Sequence, residues 1–300
     1  MRTGNDIPLS GIGRRLQALD FPGSMNRRLL LLCCCLCLGL APLQADAGKW
    51  PRPAGGVSSS GDPELLLTFD DGPHEKHTKK ILDTLDEHGL QGIFFWTGHR
   101  VVNQHKGLED RIALVERAVQ TGHLIGNHTT THAKLCVVSA DDAERELDEN
   151  AERYRKLTGL PQFLMRVPYG ARCRRLDGML AERDIQHMHW DLDPQEFRHH
   201  SADISFRYVT KRLARLQPGM RAILLMHDTQ PATAKALPKI LKWIGKENAK
   251  RKEKGKRPIR IITGSAYVEE THPVPLLAWT RTSLAVSRSA VLDAARRLMP

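Results

Sequence analysis

The sequence predicts an α/β protein: a single-domain (β/α) barrel of seven parallel strands. Three observations predict it. Apolar, strand-like runs alternate with amphipathic helical stretches through most of the chain, the pattern of a parallel sheet with helices outside. Asp70, Asp71, His128, Arg166, Asp191, Asp193 and His227 all fall at the C-terminal ends of such runs, the rim where barrel enzymes collect their reactive groups. An open sheet gathers its loops mainly at one switch point, so five strands feeding one site favour a sheet closed on itself.

In chain order, the N-terminus comes first. Met25-Asn26-Arg27-Arg28 is basic, residues 29–40 are apolar and hold four of the six cysteines, and Ala45-Asp46-Ala47 offers small residues for a signal peptidase. Residues 25–47 therefore read as a secretory signal. The apolar run, about 12 residues, falls short of the ~20 a membrane span needs. Residues 1–24 have no place in such a signal and read as an upstream extension, with Met25 as the start. Residues 48–63, rich in Gly, Pro and Ser, read as a flexible linker. The folded domain is expected over 64–268, with a C-terminal extension over 269–300 in which 276–298 has helical character.

Seven strand-like runs lie at 65–69, 92–96, 123–126, 162–166, 186–190, 222–226 and 258–262. The first stops at Asp70-Asp71, and Gly72-Pro73 turns the chain. A helix over 79–88 carries Ile81, Leu82 and Leu85 on one stripe; one over 110–120 carries Ile112, Val115 and Val119. A helix over 140–157 carries Ala143, Leu147, Ala151 and Tyr154, with Ser139 and Asp142 as its capping pair. Helices over 204–216 and 232–247 follow. Residues 250–260, dense in Lys and Arg, read as a solvated loop. Cys136 and Cys173 each lie shortly after a site motif and are expected to form a disulfide, which export permits.

Composition narrows the function. Apolar content of 41% and charged content of 26% are ordinary for a globular protein. The formal net charge of +11 serves solubility and favours polyanionic envelope polymers, but only 5% of residues are aromatic and no nucleic-acid module is present. Nucleic acid is therefore excluded as a partner.

The chemistry lies in three strings, around Asp70-Asp71, His128–His132 and His227. Thr68-Phe69-Asp70-Asp71-Gly72-Pro73 places two carboxylates at a strand end, where both can lean into one cleft. His128 and His132, four apart, share a face if the chain makes one helical turn. With Asp71 they form a three-ligand set that leaves positions open for water; a closed structural zinc site would want four protein ligands. Zn²⁺ is the first choice, with Co²⁺, Mn²⁺ or Ni²⁺ as alternatives. Two His and one carboxylate also make the facial triad of non-haem iron oxygenases. The spare aspartate beside the ligand and His227 on the same rim suit hydrolysis better. Arg166 at another strand end can pair with an aspartate and hold it ionised.

Taken together and in order, these motifs resemble the polysaccharide deacetylases of the NodB-homology type, carbohydrate esterase family 4, from about Leu65 to Ile262. The resemblance implies a distorted (β/α)7 barrel. It implies Asp70 as general base, Asp71, His128 and His132 as metal ligands, and Arg166 orienting Asp70. It also implies the Tyr169 backbone N–H at the oxyanion, His227 as general acid, and Leu224 or Leu225 shaping an acetyl pocket. The fourth motif departs from the family's Asp-x-x-Asp-Trp: Trp190-Asp191-Leu192-Asp193-Pro194-Gln195-Glu196-Phe197 ends in Glu and Phe. Asp193 is the expected acid behind His227, with Glu196 the alternative. The ending Phe94-Phe95-Trp96-Thr97-Gly98 also differs from the usual small residues.

The expected activity is removal of acetyl groups from N-acetylated sugars of an envelope polysaccharide, peptidoglycan or a chitin-like glycan. O-acetyl xylan is an alternative substrate, and a non-catalytic glycan-binding relative is the alternative function. The protein is expected to be exported, periplasmic or secreted, and monomeric, meeting the membrane only through its signal.

Overall fold

A computed structural model describes residues 54–102 and 107–271. The expected signal, the upstream extension and the helical stretch at 276–298 lie outside the described residues. Among the described residues there are seven strands: β1 (Glu64–Asp70), β2 (Ile93–Trp96), β3 (Leu124–Asn127), β4 (Leu164–Met165), β5 (Gln186–His187), β6 (Arg221–His227) and β7 (Arg260–Ile262). Between and after them come α1 (His77–Glu87), α2 (Leu108–Gln120), α3 (Ala140–Thr158), α4 (Arg174–Glu182), the one-turn α5 (Glu196–His199), α6 (Ala202–Leu213), α7 (Pro231–Glu253) and α8 (Gly264–Thr271).

All strand pairs are parallel, in the order β5-β4-β3-β2-β1-β6. Beyond β5 the chain returns to β6 through a parallel bridge, Leu192 to Leu224, which closes the ring. The Leu225 amide seals it by donating to the Leu192 carbonyl at 2.9 Å. The expected seven-strand barrel is thus present but distorted in one definite way. β6 pairs the whole of β1, while the opposite edge of β1 is shared: β7 takes Glu64–Leu66 and β2 takes Thr68–Asp70. The seventh strand therefore sits at the barrel's base and contributes nothing to the upper rim.

Alternation along β1 separates two cores. Leu65, Leu67 and Phe69 pack outward with Ile81, Leu82 and Leu85 of α1 and Leu237 and Ile240 of α7. Leu66 turns inward to Ile93, Phe95, Leu164 and Ile223. Thr68 and Asp70 share the face of Leu66, so the strand's own pleat carries Asp70 into the barrel mouth. The α3 cap forms as expected, with Ser139 Oγ accepting from the Asp142 amide at 3.1 Å.

Three expectations are corrected. Residues 54–63 are not a free linker: Val57 bridges Met220, and the amides of Ala54 and Gly55 donate to the Asp191 carboxylate. That carboxylate also accepts from the Ile223 amide at 2.7 Å, so Asp191 secures the incoming chain instead of serving the site. The basic stretch after residue 250 begins inside α7. Arg251 there is buried, donating to the carbonyls of Leu213, Ala214 and Leu216, because the end of α6 leaves acceptors that a guanidinium can satisfy.

Candidate active site

Asp70 and Asp71 are neighbours with different surroundings. Asp70 ends β1 facing inward. There Arg166, fully buried, donates through Nη1 to Asp70 Oδ1 at 2.8 Å and to Thr68 Oγ1 at 2.7 Å. Arg166 also donates to the carbonyls of Met188 and His189, and its guanidinium lies 4.5 Å from the Phe95 ring centroid. Asp71 lies one residue past the strand at φ 77°, which swings its carboxylate across the cleft. Gly72 follows because nothing larger fits: a Cβ there would lie 2.1 Å from the Asp228 carboxylate.

The two histidines reach the same place without a helix. The chain from His128 to His132 is irregular, with Thr129 and His132 both at positive φ. α3 holds this loop. Asn150 donates to the carbonyls of Thr129 and Trp96, and Glu146 accepts from the Thr131 amide at 2.8 Å and its hydroxyl at 2.6 Å. The expected helical turn gives way because these side chains offer the loop better partners than its own backbone. His128 Nδ1 donates to the Arg166 carbonyl at 2.6 Å, which leaves Nε2 as the free donor atom. His128 Nε2 and His132 Nε2 stand 3.3 and 3.4 Å from Asp71 Oδ1.

Asp71, His128 and His132 offer three ligand atoms within 4.8 Å of one another. Asp71 Oδ1 is buried and has no hydrogen-bond partner, an arrangement that fits a cation lying between it and the imidazoles. One carboxylate with two imidazoles suits a divalent ion with open positions. Burial alone would raise the Asp71 pKa; contact with His128 and the charges of His227 and His132 outweigh it and hold the carboxyl well below its usual range.

Across the cleft, His227 ends β6 in register with Asp70. Its Nδ1 meets Glu196 Oε1 at 3.1 Å, and that oxygen also accepts from the His227 amide at 2.5 Å and Thr233 Oγ1 at 2.9 Å. Burial pulls the His227 pKa down; the hydrogen bond and charge of Glu196, with Asp71 and Asp70 behind, overcome it and lift it to about 9. Asp193 is not the acid behind His227. It accepts from the Gln195 amide at 2.8 Å, its own amide donates to Tyr208 Oη, and the turn it makes aims Glu196 at the imidazole. Leu225 shares the inward face of β6 with His227, whereas Leu224 packs outward in the helix-facing core, so Leu225 is the pocket candidate of the pair.

Tyr169, 62% exposed, sits at φ 61° with its ring centroid 4.6 Å from that of His132. The Cys136–Cys173 disulfide is present and ties the loop after His132 to the one after Tyr169. Asp228 escaped the sequence reading. Fully buried, it accepts from Trp96 Nε1 at 2.9 Å and Thr78 Oγ1 at 2.6 Å, and burial pushes its pKa up to about 7. Its only signal in the sequence is its place directly after His227.

Comparison with known proteins shows the family and the fold. A family profile described as polysaccharide deacetylase matches residues 58–186. A chitooligosaccharide deacetylase of Bradyrhizobium is 34% identical over 175 residues, covering 57% of this chain and 74% of that protein. A peptidoglycan-N-acetylglucosamine deacetylase of Bacillus cereus is 31% identical over 166 residues, 55% of this chain and 56% of that protein. The solved structure of peptidoglycan deacetylase PdaC from Bacillus subtilis aligns with a TM-score of 0.57 at 24% identity. It covers 71% of this chain and 93% of that one, a likeness of fold.

Proposed function

The chain belongs to the polysaccharide deacetylase family, and from that membership we propose that it hydrolyses the acetamido groups of N-acetylated sugars in an envelope polysaccharide, peptidoglycan or a chitin-like glycan. The observation that carries this reading is the convergence of three groups on one cleft: the Asp71–His128–His132 set, an Arg166-held Asp70 and a Glu196-held His227.

Asp71, His128 and His132 would hold a divalent cation, Zn²⁺ before Co²⁺, Mn²⁺ or Ni²⁺. When bound it would supply Lewis acidity, bringing a water's pKa toward ~7 and polarising the acetyl carbonyl. Asp70 takes the proton of the attacking water. Arg166 fixes the carboxylate through Oδ1, leaving Oδ2 for that proton. The Tyr169 backbone N–H faces the developing oxyanion. His227 then gives a proton to the departing nitrogen, because an amine leaves poorly as an anion. Glu196 keeps the imidazole charged and its Nε2–H directed at the substrate. Leu225 lines the space for the acetyl methyl.

Two features support hydrolysis over an iron oxygenase: a second carboxylate beside the ligand set and a Glu196-paired imidazole opposite it, neither needed for oxygen chemistry. Both reacting groups are present, which also disfavours a purely binding relative. Export to the envelope, through the signal at residues 25–47, accords with such a substrate. The test is acetate release from chitooligosaccharides and from peptidoglycan glycan strands, before and after chelation and after restoring Zn²⁺. No acetate from any metal-loaded sample would overturn the reading.

A further inference from the structure

We infer that the cleft takes an acidic glycan: Lys134 and Arg198, one on each aromatic wall, bind carboxylates on the sugars that flank the acetylated one. This rests on the deacetylase reading and narrows its substrate.

The cleft has two aromatic walls. On the metal-ligand side stands Tyr169, its ring edge-on to His132. On the acid side stands Phe197, 38% exposed, its centroid 4.9 Å from that of His227. Each wall carries a cation. Lys134 Nζ lies 5.0 Å from the Tyr169 centroid, and Arg198 Cζ lies 5.4 Å from that of Phe197. A ring attracts a cation without neutralising it.

Several other cations near the mouth are engaged. Arg166 holds Asp70, Arg100 Nε donates to the Asp71 carbonyl, Arg111 pairs with Glu75, and Arg172 pairs with Asp177. Neither Lys134 nor Arg198 makes a side-chain hydrogen bond or ion pair among the described residues. The acids at the cleft centre are likewise committed. Asp70 is held by Arg166, Glu196 by His227 and Thr233, and Asp193 by the Gln195 amide, while Asp71 faces the imidazoles.

The centre therefore suits a neutral acetamido sugar, and uncommitted positive charge accompanies the aromatic ring on each wall. Paired with a stacking surface, each cation fits a pyranose bearing a carboxylate. The matching polymer alternates an acetylated sugar with an acidic one; a neutral homopolymer leaves both cations unused.

The test compares two size-matched probes on the metal-loaded full chain. One is chitohexaose. The other is a peptide-free hexasaccharide alternating N-acetylglucosamine with N-acetylmuramic acid, whose lactyl groups are free carboxylates. Acetate release is expected to show a lower KM for the acidic probe, with an advantage that shrinks as ionic strength rises. Lys134→Gln and Arg198→Gln should each cut that advantage roughly three-fold, and the double variant about ten-fold, the range of exposed charge pairs. Equal KM values for the two probes, or a double variant that weakens both alike, would overturn the inference. If neither probe releases acetate, the deacetylase reading fails. Calorimetric binding of the same probes then decides the inference separately: a preference for the acidic probe lost in the double variant upholds it, and equal affinities overturn it.

Discussion

Glu196→Gln removes one charge and keeps the shape, and its effect follows from the surroundings of His227. The imidazole is buried, which by itself depresses its pKa below the ordinary 6.5; Glu196 is the foremost group that raises it to about 9. The difference corresponds to about 3 kcal/mol of preference for the charged form. With the amide in place, burial remains and the main opposing charge is gone, so the imidazole should titrate at or below 6.5. From protonation alone, the loss of charged His227 is about four-fold at pH 7 and about thirty-fold at pH 8. The sign also holds for stability. A raised folded-state value means the pair's contribution is fully present below pH 6.5 and is lost as pH climbs through about 9. A bound cation opposes the pull of Asp71 and lowers both proteins' values, so the difference between them is the diagnostic quantity. The assay is the pH dependence of kcat/KM on an acetylated oligosaccharide, with the His227 ring proton followed by NMR in the metal-free protein. An alkaline limb that stays in place in Glu196→Gln, or one that Asp193→Asn moves as far, would refute the argument.

Asp71→Ala and His128→Ala should each abolish stoichiometric Zn²⁺ by elemental analysis while the circular dichroism spectrum stays that of the folded protein. Asp70→Asn should retain the metal and lose at least a hundred-fold in kcat, as expected when a general base is removed. Arg166→Met leaves Asp70 as a buried, unpaired carboxylate and should cost about 3–5 kcal/mol in denaturant unfolding. Replacing Cys136 and Cys173 by Ser opens a link across 37 residues and should cost about 3–4 kcal/mol; a denaturation midpoint equal to wild type would contradict it.

Much of the fold is legible because β1 and β6 are unbroken apolar runs and the helices carry clean stripes. The short strands are less so. β4 and β5 are two residues each, and directly after β4 the Arg166 side chain turns to Asp70. The candidate ligand set is readable from residue type and order, but the conformation that unites it is not. The spacing of His128 and His132 looks helical, whereas the loop is set by Asn150 and Glu146, which lie far along the chain on α3. The Asp193–Glu196 ambiguity has the same origin. Both precede Phe197 at plausible spacing, and only the positive-φ turn at Gln195 decides which carboxylate faces His227. Arg251 reads as one more surface cation until α6 is seen to end against it.

The consecutive aspartates show how one dipeptide can present two carboxylates to one cleft. On a regular strand Asp70 and Asp71 would face opposite sides of the sheet, and only one could reach the cleft. Here β2 stays paired as far as Asp70, and the Asp71 amide still donates to the Phe95 carbonyl at 3.1 Å, so the backbone is anchored up to the point where it turns. The left-handed conformation at Asp71 then brings its side chain round to the side Asp70 already occupies. Two adjacent carboxylates would repel each other there. Arg166 neutralises the inner one from within the barrel, while the imidazoles, and any cation they share, neutralise the outer one from the cleft. The backbone turn and the buried arginine are therefore required together: without the turn Asp71 has no access, and without the guanidinium the Asp70 carboxylate loses the partner that fixes it in the cleft.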